Sequence, residues 1–340
     1  MILVEIRDTW NKYLDLIPDN KRDVYFFEEY VKLYQDDISK ALCVVAQEND
    51  SILLLPIIRR QFETFFDFET PYGYGGPLVN TNDIRWIESA LQSMKQFLVE
   101  QRYIAGFIRF HPLLHNNAIC CNCCEVGRDR QTVVIDLLPD EDSIFSLQLS
   151  AKNRNMVRKA LSEGLVFCAD YDFVSLKDFI RIYGDTMSRL SADDFYFFDE
   201  AYYQSFAERL RKRSFLGCVR KDGEILAAAL FMYGRDYGHY HLAGSVKSSY
   251  HGVNNLLLWQ AALELKKQGV KIFHLGGGLN DDPENSLFKF KKSFSHTTAE
   301  FYIGKMIFNE DVYSTVCQEW EQKNPDKASL YKNRLLKYRY

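Results

Sequence analysis

His274-Leu-Gly-Gly-Gly-Leu279, followed by Ser286-Leu-Phe-Lys-Phe-Lys-Lys-Ser-Phe294, decides how the chain is read. The apolar run Lys271-Ile-Phe-His-Leu275 precedes it and reads as a buried strand. A glycine run, a loop with Asp281, Asp282 and Pro283, and a short helix rich in lysine and phenylalanine come next. Glycines after a strand let backbone N–H groups approach a ligand closely. Lysines on the following helix bring positive charge to the same sheet end, which suits a bound anion or a developing oxyanion. The G-x-G-x-x-G spacing of dinucleotide-binding folds is missing, and so is the G-x4-G-K-[ST] loop of NTPases.

The wider chain fits a protein of two domains. Its 340 residues suit two domains of about 150 residues each. A net charge of −4 speaks against coating duplex DNA, which calls for a basic surface. Met1-Ile-Leu-Val-Glu-Ile-Arg7 lacks a charged segment leading into a long apolar one, and no run of about 18 apolar residues occurs. A cytoplasmic protein with at most peripheral membrane contact is expected. Of eight cysteines, four are scattered and four form Cys120-Cys121-Asn122-Cys123-Cys124. Cys120 and Cys123 have C-x2-C spacing with His111 and His115 nearby, but no second knuckle follows. Reduced thiols and no metal are expected.

Helices and strands alternate along the chain. Tyr25–Tyr34 reads as an amphipathic helix. Ala41–Ala46 and Ser51–Ile58 read as strands paired across Glu48-Asn49-Asp50. Thr70-Pro-Tyr-Gly-Tyr-Gly-Gly-Pro77 is too rich in Gly and Pro for a regular element. A helix over 83–100 and strands over 104–110 and 131–136 follow. The second half opens with a helix carrying Lys152, Arg154, Arg158 and Lys159, then helices over 176–190 and 200–213. A hairpin around Lys221-Asp-Gly223, a strand over 237–243 and a helix over 253–268 lead into the glycine segment. Residues from Glu310 onward read as helical. The fold class is α/β (α+β).

The strands and helix of Leu230–Gly278, with Gly252-Val-Asn-Asn-Leu-Leu-Leu-Trp-Gln-Ala-Ala262, resemble a known family when joined to Phe290-Lys291-Lys-Ser-Phe294. This segment is similar to the C-terminal domain of the FemAB/FemX-type peptidoglycan aminoacyltransferases, within the GNAT acyltransferase superfamily. Ser150-Ala-Lys-Asn-Arg-Asn-Met-Val-Arg-Lys159 resembles the basic helix that opens that domain. Pro71-Tyr-Gly-Tyr-Gly-Gly-Pro77 and Arg109-Phe-His-Pro112 resemble elements of the N-terminal domain. The resemblance implies two tandem GNAT-like domains, each a mixed, mostly antiparallel central sheet flanked by helices. These would be 1–145 and 146–309, with 310–340 packing back on the first and an acceptor groove between the two.

What the resemblance implies chemically is an acyltransferase. It would move an activated acyl or aminoacyl group to an amine of a cell-envelope precursor, a peptide or an amino sugar. The catalytic pair would be Lys291, holding oxyanion or donor charge, and Phe290, offering its N–H. Gly252, Asn254, Asn255, Gly276, Gly277 and Gly278 would bind the donor. Tyr72, Tyr74, Arg109, His111, Arg154 and Arg158 would bind the acceptor, a small-molecule or lipid- or nucleotide-linked precursor. No tightly bound cofactor is expected; the donor is aminoacyl-tRNA or acyl-CoA. Members using acyl-CoA carry Arg/Gln-x-x-Gly-x-Gly/Ala before the long helix, whereas here Ser249-Tyr-His-Gly252-Val-Asn254 keeps only the central glycine. That departure fits charged tRNA as donor and partner, or an unusual carrier. Two alternatives stand beside it: an acyl-CoA-dependent N-acyltransferase of surface polysaccharide synthesis, and a GNAT-like binding module without catalysis. His241 and His274 are equal candidates for a general base, and substrate-assisted proton transfer would need neither.

Overall fold

A computed structural model describes all residues, Met1–Tyr340. The chain divides into two compact units: Met1–Asp129 with Glu300–Tyr340, and Arg130–Ala299.

In the first unit, strands Leu3–Arg7, Ser39–Glu48, Ser51–Phe62, Phe65–Glu69 and Tyr103–Arg109 lie side by side in that order. All pair antiparallel except the last two, which run parallel. The Ser39–Glu48/Ser51–Phe62 hairpin closes at Glu48↔Ser51, with Asn49 at φ 52° making the tight turn that asparagine tolerates. Helix Ile84–Glu100 starts where the Asp83 carboxylate accepts the N–H groups of Arg85 and Trp86. Its Ile87, Ala90, Leu91, Met94 and Leu98 fall on one face and bury against Leu53, Leu55 and Ile108. Helix Glu310–Lys323 buries Cys317 and Trp320 in a cluster with Ile104, Ala105 and Leu335.

In the second unit the order is 130–136 (the latter part of strand Glu125–Asp136), Ile272–Gly277, Tyr237–Ser245, Glu224–Tyr233, Ser214–Lys221 and Val166–Asp170. Only Tyr237–Ser245 and Ile272–Gly277 pair parallel. Helix Val253–Lys267 is apolar nearly all round. Leu256, Leu257, Leu258, Ala261, Ala262 and Leu265 are all buried, because the helix packs on the sheet and on helix Ala151–Ser162. Helices Leu176–Arg189, Glu200–Arg209 and Ser286–Lys292 complete the unit. No helix of the chain is long and apolar enough to cross a membrane.

The structure departs from the sequence reading in three places. Tyr25–Tyr34 is not one helix but short turns, Val24–Phe26, Glu28–Val31 and Lys32–Tyr34. Phe27 is extended (φ −74°, ψ 145°), and the Glu28 carboxylate accepts the N–H groups of Trp10 and Asn11 instead of serving a longer helix. Thr298–Ile307 is a strand, and its Ile303–Ile307 stretch pairs with Tyr103–Arg109. The unit boundaries therefore fall at 129/130 and 299/300 rather than at 145/146 and 309/310. Thr132–Asp136 is hydrogen-bonded to Ile272–Gly277 and so belongs with the second unit.

Candidate functional site

The site of the second unit starts from a parting of two strands. Tyr237–Ser245 and Ile272–Gly277 pair over Tyr237↔Ile272, Gly238↔Phe273 and His239↔His274 only. Beyond those rows Tyr240 continues on one strand and the glycines on the other. A bulge between His274 and Gly276, where Gly276 takes φ 73°, turns the glycine strand. Side chains at the next two glycines have no room. A Cβ on Gly277 would meet the Gln131 carbonyl at 2.7 Å, and one on Gly278 would meet Asn285 Oδ1 at 2.7 Å.

Lys291 lies across this opening. It is 8% exposed, its Nζ donates to the Gly277 carbonyl at 2.8 Å, and the same Nζ sits 5.7 Å from the Tyr240 ring centre. Arg130 Nη1 donates to the neighbouring Gly278 carbonyl at 2.9 Å. Burial strips water from the Lys291 ammonium, and the Arg130 charge repels it, so its pKa falls from 10.5 to about 7. Such an amine is available as base and as cation near neutral pH. Helix Ser286–Lys292 holds it in place: Asn285 caps the first turn by accepting from Leu287 and Phe288 N–H, and Phe288 is buried in the core.

Phe290 takes a different place from the one expected. It is the fifth residue of that helix, beyond the first-turn amides that lack intrahelical partners, so its N–H belongs to the helix ladder and cannot serve an oxyanion. Its ring packs edge-on to Phe294, 5.4 Å between centres. The Gly277 and Gly278 carbonyls accept from two cations. The anion-seeking groups of the site are Lys291 and Arg130, and the latter escaped the sequence reading.

At the start of the long helix the N-cap makes no side-chain cap bond, while the flanking His251 N–H and the Asn255 side chain are engaged by protein groups. Gly252, at φ 68°, is its N-cap, and a Cβ there would lie 2.2 Å from the Met156 carbonyl. Glycine is required for packing on helix Ala151–Ser162. The His251 N–H donates to Glu163 Oε2 at 2.9 Å, and His251 Nδ1 lies 3.1 Å from Oε1. These bonds, the backbone one foremost, lower the Glu163 pKa, so a carboxylate charge sits beside the helix start. Asn255 Nδ2 donates to Asn153 Oδ1, and Asn153 Nδ2 donates to Ser293 Oγ, tying three elements together. Asn254 reaches only Ser245 Oγ, at 3.4 Å. Gly252 and Asn255 are thus structural here.

The expected acceptor residues separate into packed and exposed ones. In the first unit Tyr74 packs against Tyr25, His111 and Phe301. The Tyr72 carbonyl accepts from Tyr30 Oη at 2.6 Å. Asn116 donates to the Gly75 and Pro77 carbonyls, closing the glycine-tyrosine loop on itself. Arg109 donates to the Thr70 carbonyl and pairs with Glu69. His111 is buried. Its Nδ1 accepts the Leu113 N–H, so its Nε2 carries the proton that it donates to Asp23 Oδ2 at 2.7 Å. These contacts hold Tyr74, Arg109 and His111 in place, while the Tyr72 ring stays half-buried beside Tyr34. In the second unit Arg154 donates to the Ser146 and Leu149 carbonyls, whereas Arg158 is exposed, over the Phe145 ring. His274 is a buried core residue whose ring meets His239 edge-on, 5.6 Å between centres. His241 bonds Tyr202 Oη at 2.8 Å and stacks on Phe206, and desolvation pushes its pKa down to about 3, so it is neutral at pH 7.

A family model described as an acetyltransferase (GNAT) domain matches residues 150–291, which includes the parted strands and Lys291. No curated protein sequence matches the chain. Among solved structures the chain is similar to FemX, at 13% identity and a TM-score of 0.72, over 93% of this chain and 99% of that one. It is similar to the C-terminal domain of a putative lysylphosphatidylglycerol synthetase from Agrobacterium fabrum, at 15% identity and TM-score 0.57, over 85% and 89%. A tandem GNAT protein from the clavulanic acid biosynthesis pathway is similar at 10% identity and TM-score 0.52, over 90% and 99%. The chain has a FemX-like GNAT fold, and residues 150–291 match the GNAT-domain model.

Proposed function

We propose that the chain is an aminoacyltransferase that moves an aminoacyl group from tRNA to an amine of a cell-envelope precursor. The observation that carries the proposal is the buried Lys291, with a pKa of about 7, lying in the opening between the parted strands of a GNAT domain. The acceptor nitrogen attacks the ester carbonyl and forms a tetrahedral oxyanion. Protonated Lys291 stabilises that charge, and one such donor is worth roughly 3 kcal/mol. As the intermediate collapses, the C–O bond to the ribose breaks, the ribose oxygen takes a proton, and an amide remains. Lys291, with a pKa near 7, gives that proton to the ribose oxygen and recovers one from the attacking nitrogen, so no strong acid or base is needed.

The choice of donor rests on the start of the long helix. A CoA pyrophosphate would need the amides around His251–Asn254, but Glu163 already accepts the His251 N–H and sets a negative charge there. Two anions at one helix start repel each other. An aminoacyl ester brings no pyrophosphate to that position. The likeness to FemX and to a lipid-aminoacylating synthetase supports an envelope acceptor, either nucleotide- or lipid-linked. Arg158, exposed on the helix that opens the domain, is assigned to a phosphate of tRNA or precursor.

Thermal shift tests the donor. A ligand at about 100 times its dissociation constant adds nearly 3 kcal/mol to stability. Charged tRNA or a nucleotide-linked muropeptide should raise Tm. A rise with acetyl-CoA and none with either of those overturns the assignment.

A further inference from the structure

The cluster Cys120-Cys121-Asn122-Cys123-Cys124 takes no part in the transfer chemistry, yet it is folded into a particular shape. The short turn Ala118–Cys120 continues into a second turn in which both Cys123 N–H and Cys124 N–H donate to the Cys120 carbonyl, at 3.0 and 3.1 Å. That winding puts the sulfurs of Cys120, Cys123 and Cys124 on one side, all within 4.8 Å of one another. Around a metal with bonds of about 2.3 Å, three sulfurs in a trigonal plane lie about 4 Å apart, so little movement separates this triad from a ligand set. Cys121 is exposed and its Sγ donates to the Asn117 carbonyl.

The surroundings narrow the choice of ion. Cys120 is 2% exposed, and with Cys123 it lines a small cavity together with Met94, Met306, Leu91 and Ile108. A closed zinc site wants four ligands, and hard cations want oxygen. Here the donors are three sulfurs, Met94 and Met306 line the cavity beside Cys120 and Cys123, and the Lys95 ammonium lies near Cys123. Soft thiolate and thioether donors suit Cu(I), zinc and Fe–S clusters, and with three sulfurs and no fourth protein ligand Cu(I) is the favoured one of these. All of these groups belong to the first unit, apart from the acyl-transfer residues.

We infer that Cys120, Cys123 and Cys124 form a binding site for one Cu(I) ion, with Met94 and Met306 as the soft wall behind it. Binding forms Cu–S bonds and releases the thiol protons, with no change of oxidation state. The site is independent of the proposed aminoacyl transfer.

The test uses the full reduced chain under anaerobic conditions, with Cu(I) supplied in the presence of excess glutathione. The expected result is one Cu(I) retained per chain, an ultraviolet thiolate-to-copper band, and an X-ray absorption signature of sulfur-only coordination. Cys121→Ser should keep the ion, while Cys123→Ser and Cys124→Ser should each weaken retention at least tenfold. Far-UV circular dichroism of each variant checks folding. If a variant unfolds, Met94→Leu, which keeps volume, serves in its place and should weaken retention measurably. Loss of copper to glutathione from the unaltered chain overturns the inference. Equal retention in Cys121→Ser and in a folded Cys123→Ser does so too, as does air oxidation to a Cys120–Cys123 disulfide in a chain that never takes up copper.

Discussion

Lys291→Met should make the protein more stable and less active. Moving the lysine from a pKa of 10.5 in water to about 7 when folded corresponds to about 5 kcal/mol of disfavoured charge. The folded state binds fewer protons than the unfolded chain between these two values, so stability rises with pH across that window. Below pH 7 the whole penalty is present; at pH 7 about 4 kcal/mol remains, and by pH 10 it falls below about 1 kcal/mol. Methionine has a similar length and no charge. It removes the penalty but forfeits the bond to the Gly277 carbonyl, worth about 1 kcal/mol. The net gain at pH 7 is about 3 kcal/mol. With an unfolding entropy of about 2.1 cal/mol/K per residue, the gain raises Tm by about 4 °C for the whole chain, and by more if the second unit melts alone. Calorimetry of both proteins at pH 7 and pH 10 is the assay. The gain should shrink to nothing or reverse at pH 10. A variant that melts lower at pH 7, or whose advantage does not change with pH, refutes the assignment of a buried, low-pKa lysine.

Other outcomes follow from particular contacts. Gly252→Ala places a methyl 2.2 Å from the Met156 carbonyl at a left-handed φ, and should cost at least about 2 kcal/mol in urea unfolding. Trp320→Ala empties the pocket beside Ile104 and Leu335 and should cost about 3–5 kcal/mol, with increased proteolysis after residue 309. Arg158→Ala should raise KM several-fold while leaving kcat and Tm unchanged, since its side chain is exposed and touches only Phe145 and Asn155.

The sequence carried the second unit's chemistry further than the first unit's. Lys291 stood out because a Phe-Lys-x-x-Phe pattern after a glycine run has few other uses. Arg130 did not, because Glu125-Val-Gly-Arg-Asp-Arg-Gln131 shows no apolar alternation and gives no hint that Arg130 faces the glycine carbonyls. Thr298–Ile307 is hard to read from sequence for a related reason: most of its residues are half-buried on both faces, so period-2 patterning is weak. The Tyr72–Tyr74 loop and Arg109–His111 looked like ligand-binding material because tyrosine, arginine and histidine serve both surfaces and packed polar networks. In the fold Asn116, Asp23 and Glu69 already engage that segment. The Tyr25–Tyr34 helix failed because tertiary bonds from Glu28 outcompeted a weak local preference. The three sulfurs of the cysteine cluster were visible as a motif, but their convergence depended on the double turn at the Cys120 carbonyl.

The most direct measurement of the central claim is transfer of a labelled amino acid. Purified protein is incubated with a pool of labelled aminoacyl-tRNAs and a nucleotide-linked muropeptide bearing a free amine, and in parallel with labelled acetyl-CoA and the same acceptor. The account predicts label on the muropeptide from tRNA, reduced at least 100-fold by Lys291→Met, about the loss of one oxyanion donor. Transfer from acetyl-CoA with none from tRNA, or full activity in Lys291→Met, would contradict it.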